Sequence, residues 1–168
     1  MTDLAAPAVR DVAPAPISRR QVAAAVIGNA LEFYDFTVYA FFAREIGRTF
    51  FPGHSPFLSL ILSLATFGAG FILRPIGSVV IGRYADRRGR KPAMLLSFAL
   101  MGAAILALSI TPSYAQIGVA APILVLAWRM AQGFALGGEV GPTTAFLIEA
   151  SPAARRGLYG AWQGASQN

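Results

Sequence analysis

Five ionisable residues of this 168-residue chain, Glu32, Asp35, Arg74, Arg129 and Glu139, fall inside long apolar stretches. An unpaired charge at the middle of a bilayer costs roughly 2.5 to 3.5 kcal/mol even on a lenient insertion scale, so each needs a partner, a proton or water. Gly28, Glu32, Asp35 and Tyr39 recur three or four residues apart and share one helix face, with Asn29 at its margin. Arg129, Gln132, Leu136, Glu139 and Thr143 fall within a sector of roughly 80° at about 100° per residue, forming a second polar stripe. Two such stripes facing one another make a polar cavity. In it, an anionic substrate that binds the arginine frees the neighbouring carboxylate to take a proton, which is the competition that proton-coupled uptake requires. On this reading Asp35, Glu32 and Glu139 are the proton-coupling acids, while Arg129, Arg74, Asn29, Gln132 and Tyr39 bind substrate. The purely structural alternative is a fixed ion pair between Arg129 and Asp35 or Glu32. For Arg74 it is snorkelling toward the interface near Arg83, roughly 13 Å away.

The elements that must position these groups follow from composition. Hydrophobic residues make up 55% of the chain and charged residues 13%, a balance that belongs to lipid and not to an ordinary soluble domain. Apolar stretches over residues 22–42, 57–81, 92–110 and 117–148 each approach or exceed the roughly 20 residues needed to cross a bilayer, and 158–168 reads as the start of a fifth. Residues 1–18, rich in Ala and Pro, read as a disordered cytoplasmic tail, leaving 19–168 as an incomplete transporter half-bundle. The basic residues are parcelled by side. Arg10, Arg19, Arg20, Arg83, Arg87, Arg88, Arg90, Lys91, Arg155 and Arg156 lie on one set of loops, against Arg44 and Arg48 on the other. This bias puts the N-terminus in the cytoplasm and accounts for the net charge of +6 without nucleic acid as a partner. Two small-residue strips, Gly133, Gly137 and Gly141 in the fourth stretch and Gly70, Arg74, Ser78 and Gly82 in the second, are suited to close helix packing.

Between the second and third stretches lies Gly82, Arg83, Tyr84, Ala85, Asp86, Arg87, Arg88, Gly89, Arg90, Lys91. The order G-x-x-x-D-R-x-G-R-K resembles the signature loop of the major facilitator superfamily, which occupies the same place. Gly28-Asn29-Ala-Leu-Glu32-Phe-Tyr34-Asp35-Phe36 and Arg129-Met-Ala-Gln132-Gly133-Phe-Ala-Leu-Gly137-Gly138-Glu139-Val-Gly141 are similar to its metabolite:proton symporter branch, which carries citrate, 2-oxoglutarate, shikimate, proline and betaine. The Phe50-Phe-Pro52 run, residues 112–118 with Ala121-Pro122, and Trp162-Gln-Gly-Ala-Ser-Gln167 look most like its citrate and tricarballylate carriers.

The resemblance implies an all-α polytopic membrane protein. The chain would be the N-terminal part of a major-facilitator bundle in a bacterial inner membrane, with four complete transmembrane helices and the start of a fifth. It implies a secondary transporter and not an enzyme, coupling protons to a small citrate-like organic acid, with no cofactor or metal. The truncated chain would be inactive without the missing C-terminal half. Asp35 would be the coupling acid and Arg129 its partner. Gly82, Asp86, Arg87, Gly89, Arg90 and Lys91 would form the cytoplasmic gate, completed by Glu149, Arg155 and Arg156. The alternatives are a carrier of a zwitterion such as proline or betaine, and a small membrane scaffold that does not transport. No G-x-x-x-x-G-K-[ST] phosphate loop, H-E-x-x-H motif or cysteine is present, so the sequence offers none of those nucleotide, zinc or thiol chemistries.

Overall fold

The computed structural model describes residues 19–53, 55–149 and 156–165. The residues read as a tail, 1–18, and Arg155 lie outside the described residues, as do the side chains of Glu149, Arg156 and Gly141. Eight helices follow in order: α1 (Arg19–Phe41), α2 (Ala43–Phe50), α3 (Pro56–Ile72), α4 (Arg74–Arg88), α5 (Arg90–Ser109), α6 (Tyr114–Ile117), α7 (Ala120–Glu149) and α8 (Arg156–Ala165). Ser55 caps α3, its side chain accepting from the Phe57 N–H, with Pro56 at the first position where a missing N–H costs nothing.

The second expected stretch, 57–81, is broken and longer than hydropathy suggests. Pro75 has no N–H to give the carbonyl four residues back, so the helix interrupts at Leu73, whose N–H reaches Gly70 O at 3.4 Å. The helix then resumes to Arg88, and α3 with α4 covers Pro56–Arg88. The segment read as a loop over 82–91 is therefore helical up to Arg88. Only Gly89 leaves the helical conformation, at φ +100, before α5 begins at Arg90. Polarity ended the apolar stretch but not the hydrogen bonding, and Arg87 and Arg88 suit the negative end of the α4 dipole.

Two short helices were not expected. Amphipathic α2 carries Arg44, Glu45 and Arg48 outward and buries Ala43 and Gly47 against α3. Near the start of the fourth stretch, α6 ends at Gly118 (φ +61), and α7 runs from Ala120. Among the described residues three stretches are long and apolar enough to cross a bilayer: Pro56–Arg88, Arg90–Ser109 and Ala120–Glu139. Helix α1, with 23 residues, is not among them, its hydropathy lowered by Asn29, Glu32 and Asp35. Length and apolarity thus support three spans and do not by themselves reach the expected four and a fifth.

Helix α7 is the hub, packed along α5, α4 and α3. Its glycines let backbones touch: a Cβ on Gly133 would run into the Gly70 carbonyl, one on Gly137 into the Arg74 carbonyl, and one on Gly77 of α4 into the Phe134 carbonyl. The strip on the second stretch is therefore Gly70, Arg74 and Gly77. Gly82 has open space around it and makes no such approach, because the break at Leu73 turns the seam off the expected four-residue spacing. Ile81, Ala85 and Ala93 pack with Tyr84 and Phe134, and Met101, Ala135 and Leu136 pack with Phe36, Leu100 and Ile105. Leu31, Phe57, Ile72, Leu106 and Ile123 point outward, the arrangement expected where the surroundings are acyl chains.

Candidate functional site

The two polar stripes do meet. The Arg129 guanidinium donates from Nη1 to Asp35 Oδ2 at 2.8 Å and to Gln132 Oε1 at 2.6 Å, joining α7 to α1 across 94 positions of sequence. Arg129 is 4% exposed, whereas the Asp35 side chain keeps 20% of its surface open, so the acid is the member that water or a proton reaches first. Tyr39 lies under the cation, its ring centroid 3.8 Å from the guanidinium carbon, and Phe67 stacks on Tyr39 at 5.2 Å. The Tyr39 hydroxyl donates to the Ser63 carbonyl at 3.1 Å, and the Ser63 hydroxyl donates back at 3.3 Å, which fixes the ring. A pair this well buried strongly penalises loss of one member, since the survivor is left uncompensated.

Arg74 stands beside this pair without an ion-pair partner among the described residues. Arg74 opens α4 just after the break at Leu73, and its side chain lies by aromatic rings, with the guanidinium carbon 4.1 Å from the Phe71 centroid and 5.3 Å from that of Phe36. A small pocket is lined by Phe36, Phe67, Gly70, Phe71, Arg74, Arg129, Gln132 and Gly133. Among the described residues Arg129 Nε and Gln132 Nε2 are buried donors with no hydrogen-bond partner, so the residues lining the pocket bring two cations and spare N–H groups. That is chemistry suited to holding a carboxylate.

The structure brings together Asp35, Arg129, Gln132, Tyr39 and Arg74. Asn29, Glu32 and Glu139 are buried to 2–3% exposure and, like Asp35 and Tyr39, are not among the residues that line the pocket. In the signature segment Asp86 pairs with Arg90 at 3.6 Å, bridging the end of α4 and the start of α5, and Arg87, Gly89 and Lys91 are exposed. Phe36, Phe67, Phe71 and Ser63 are site residues that the sequence reading missed. The signal was available: Phe67 and Phe71 are one turn apart, and Phe71 precedes Arg74 by three, so all share a face.

A profile of the sugar (and other) transporter family matches residues 21–166. The chain belongs to that family, and with it to the major facilitator superfamily. It is 46% identical over 140 residues to the citrate-proton symporter of Salmonella typhi, covering 83% of this chain and 32% of that protein. It is 42% identical over 144 residues to the proline/betaine transporter of Salmonella typhimurium (86% and 29%) and 38% identical over 143 residues to the shikimate transporter of Escherichia coli (84% and 33%). The chain thus spans about a third of the length of these curated relatives. No solved structure matches it significantly.

Proposed function

We propose that this chain supplies the first helices of a proton-coupled symporter of a small organic acid. The N-terminus lies on the cytoplasmic side of a bacterial inner membrane, and the remaining helices are needed for transport. The observation that carries this reading is the Arg129–Asp35 bridge at 2.8 Å, placed beside Arg74, which has no ion-pair partner among the described residues. A substrate carboxylate arriving between the two arginines competes with Asp35 for Arg129. Once displaced, Asp35 loses its countercharge and takes a proton, so substrate and proton load together. Return to the bridge on release expels the proton. Gln132 and the Tyr39 ring hold the guanidinium in place through both states. Asn29, Glu32 and Glu139 support the helix faces that carry the pair. The exposed Asp86–Arg90 bridge, with Gly82, Arg87, Gly89 and Lys91 around the short α4–α5 turn, forms the cytoplasmic gate, together with Glu149, Arg155 and Arg156.

Two substrate classes occur among the relatives, acids and zwitterions. An acid is favoured because the aromatic faces that would enclose a quaternary ammonium are covered by the protein's own guanidinium groups, Arg74 on Phe71 and Phe36, Arg129 on Tyr39. Uptake of labelled citrate and labelled glycine betaine into membrane vesicles that hold these helices together with the remaining ones, under an imposed inward proton gradient, separates the readings. Citrate accumulation that collapses with the gradient supports the acid symporter. Accumulation of betaine alone moves the substrate to the zwitterion class, and accumulation of neither, in vesicles shown to contain the protein, removes the carrier reading.

A further inference from the structure

Glu32 on α1 and Glu139 on α7 are 3% and 2% exposed, lie outside the pocket, and meet each other within reach of a side-chain hydrogen bond. Both oxygens of Glu32 and Oε1 of Glu139 find no donor in their surroundings. Ionised carboxylates only accept, so two of them cannot hydrogen-bond; the contact exists as a bond only if one oxygen carries a hydrogen. The charges that act on Glu32 are Arg74 from α4 and Asp35 one turn along α1, and no ion pair joins either glutamate to Arg74 among the described residues. Asp35 is itself engaged by Arg129. Leaving both acids ionised would place two like charges side by side in a buried setting, with only the Arg74 charge near enough to offset them. No third His, Asp or Glu joins them in a cluster able to hold a metal ion among the described residues.

We infer that Glu32 and Glu139 form a dry, proton-bridged carboxyl clamp that holds α1 to α7 independently of the Arg129–Asp35 bridge. The clamp is a positioning device and its hydrogen is resident. Asp35 keeps 20% of its side-chain surface open, whereas Glu32 and Glu139 are 3% and 2% exposed. The clamp itself stands on burial and on the missing donors. Its consequence rests on the carrier reading: when substrate parts Asp35 from Arg129, α1 stays attached at Glu32 and pivots there.

Infrared spectroscopy of the chain in lipid bilayers at neutral pH tests the clamp directly, and does so without any transport assay. A carboxylic-acid C=O band is expected in the unsubstituted chain and in Asp35→Asn. It is expected to vanish in the double variant Glu32→Gln/Glu139→Gln. Glu139→Gln, whose amide can donate to Glu32, should melt close to the unsubstituted chain, and Glu139→Ala clearly below it. Absence of the band from the unsubstituted chain overturns the inference, an outcome that requires no variant to fold. So does its survival in the double variant, or its appearance only after sodium is removed, which would put a metal cation where the clamp has hydrogen. Failure of citrate uptake with the band intact would remove the carrier reading and leave the clamp standing.

Discussion

Against α3 and α4, helix α7 brings backbone to backbone, with Gly133 on the Gly70 carbonyl and Gly137 on the Arg74 carbonyl. Against α1 it offers long polar side chains instead, Arg129 to Asp35 and Glu139 to Glu32. At its glycines the first seam has no room for a side chain. Its attraction is the sum of many van der Waals contacts at close range, and it fails abruptly when a side chain is inserted. In the second seam the Arg129–Asp35 bridge is exchangeable, open to replacement by a substrate carboxylate or a proton, while the glutamate clamp stays in place. A carrier needs both kinds. Helices that must move as one body are joined by glycine, and the helix that reports on occupancy is joined by ions.

The comparison can be broken at either seam. Gly133→Leu places a side chain in the Gly70 backbone and should cost about 3 kcal/mol or more; the expected outcome is loss of folded chain in a detergent thermal-melt assay, whatever the substrate. Arg129→Gln leaves Asp35 without its countercharge and Tyr39 without its cation, at about 3 kcal/mol. Protein should still be recovered from membranes, with a lowered melting temperature and no proton-driven uptake. Phe71→Ala strips one face from Arg74 and should weaken it by about 1 kcal/mol, read as a several-fold rise in KM with little change in melting temperature. Arg90→Ala removes the exposed bridge to Asp86, and loss of that bridge should stay within about 0.5 kcal/mol of the unaltered stability. If Gly133→Leu were tolerated better than Arg129→Gln, the assignment of rigid and exchangeable seams would be reversed.

Much of this contrast was legible in the sequence because charge and glycine inside apolar stretches have few explanations. The pairing of the stripes followed from the cost of burying Asp35 and Arg129 apart. Which acid would take the arginine did not follow: Glu32 lies one turn from Asp35 on the same face, and only the relative height of α1 and α7 separates their roles. The helical state of Gly82 to Arg88 was hidden because hydropathy reports where lipid ends, not where hydrogen bonding ends. Gly77 escaped the strip for a related reason, since the proline break shifts the register of everything after Leu73. The aromatic lining of the pocket was not picked out, although Phe71 and Arg74 lie three residues apart.

The chain has no cysteine, so spin labels can be placed without first removing any. Labels on outward positions Leu31 of α1, Val79 of α4 and Ile123 of α7 allow both seams to be followed by pulsed electron resonance in lipid bilayers with and without citrate. The distance between positions 31 and 123 should shift on adding citrate, and fail to shift in Arg129→Gln, while that between 79 and 123 stays constant. A change across 79 and 123, or an unmoved 31 to 123 distance in protein that demonstrably binds citrate, would contradict the account.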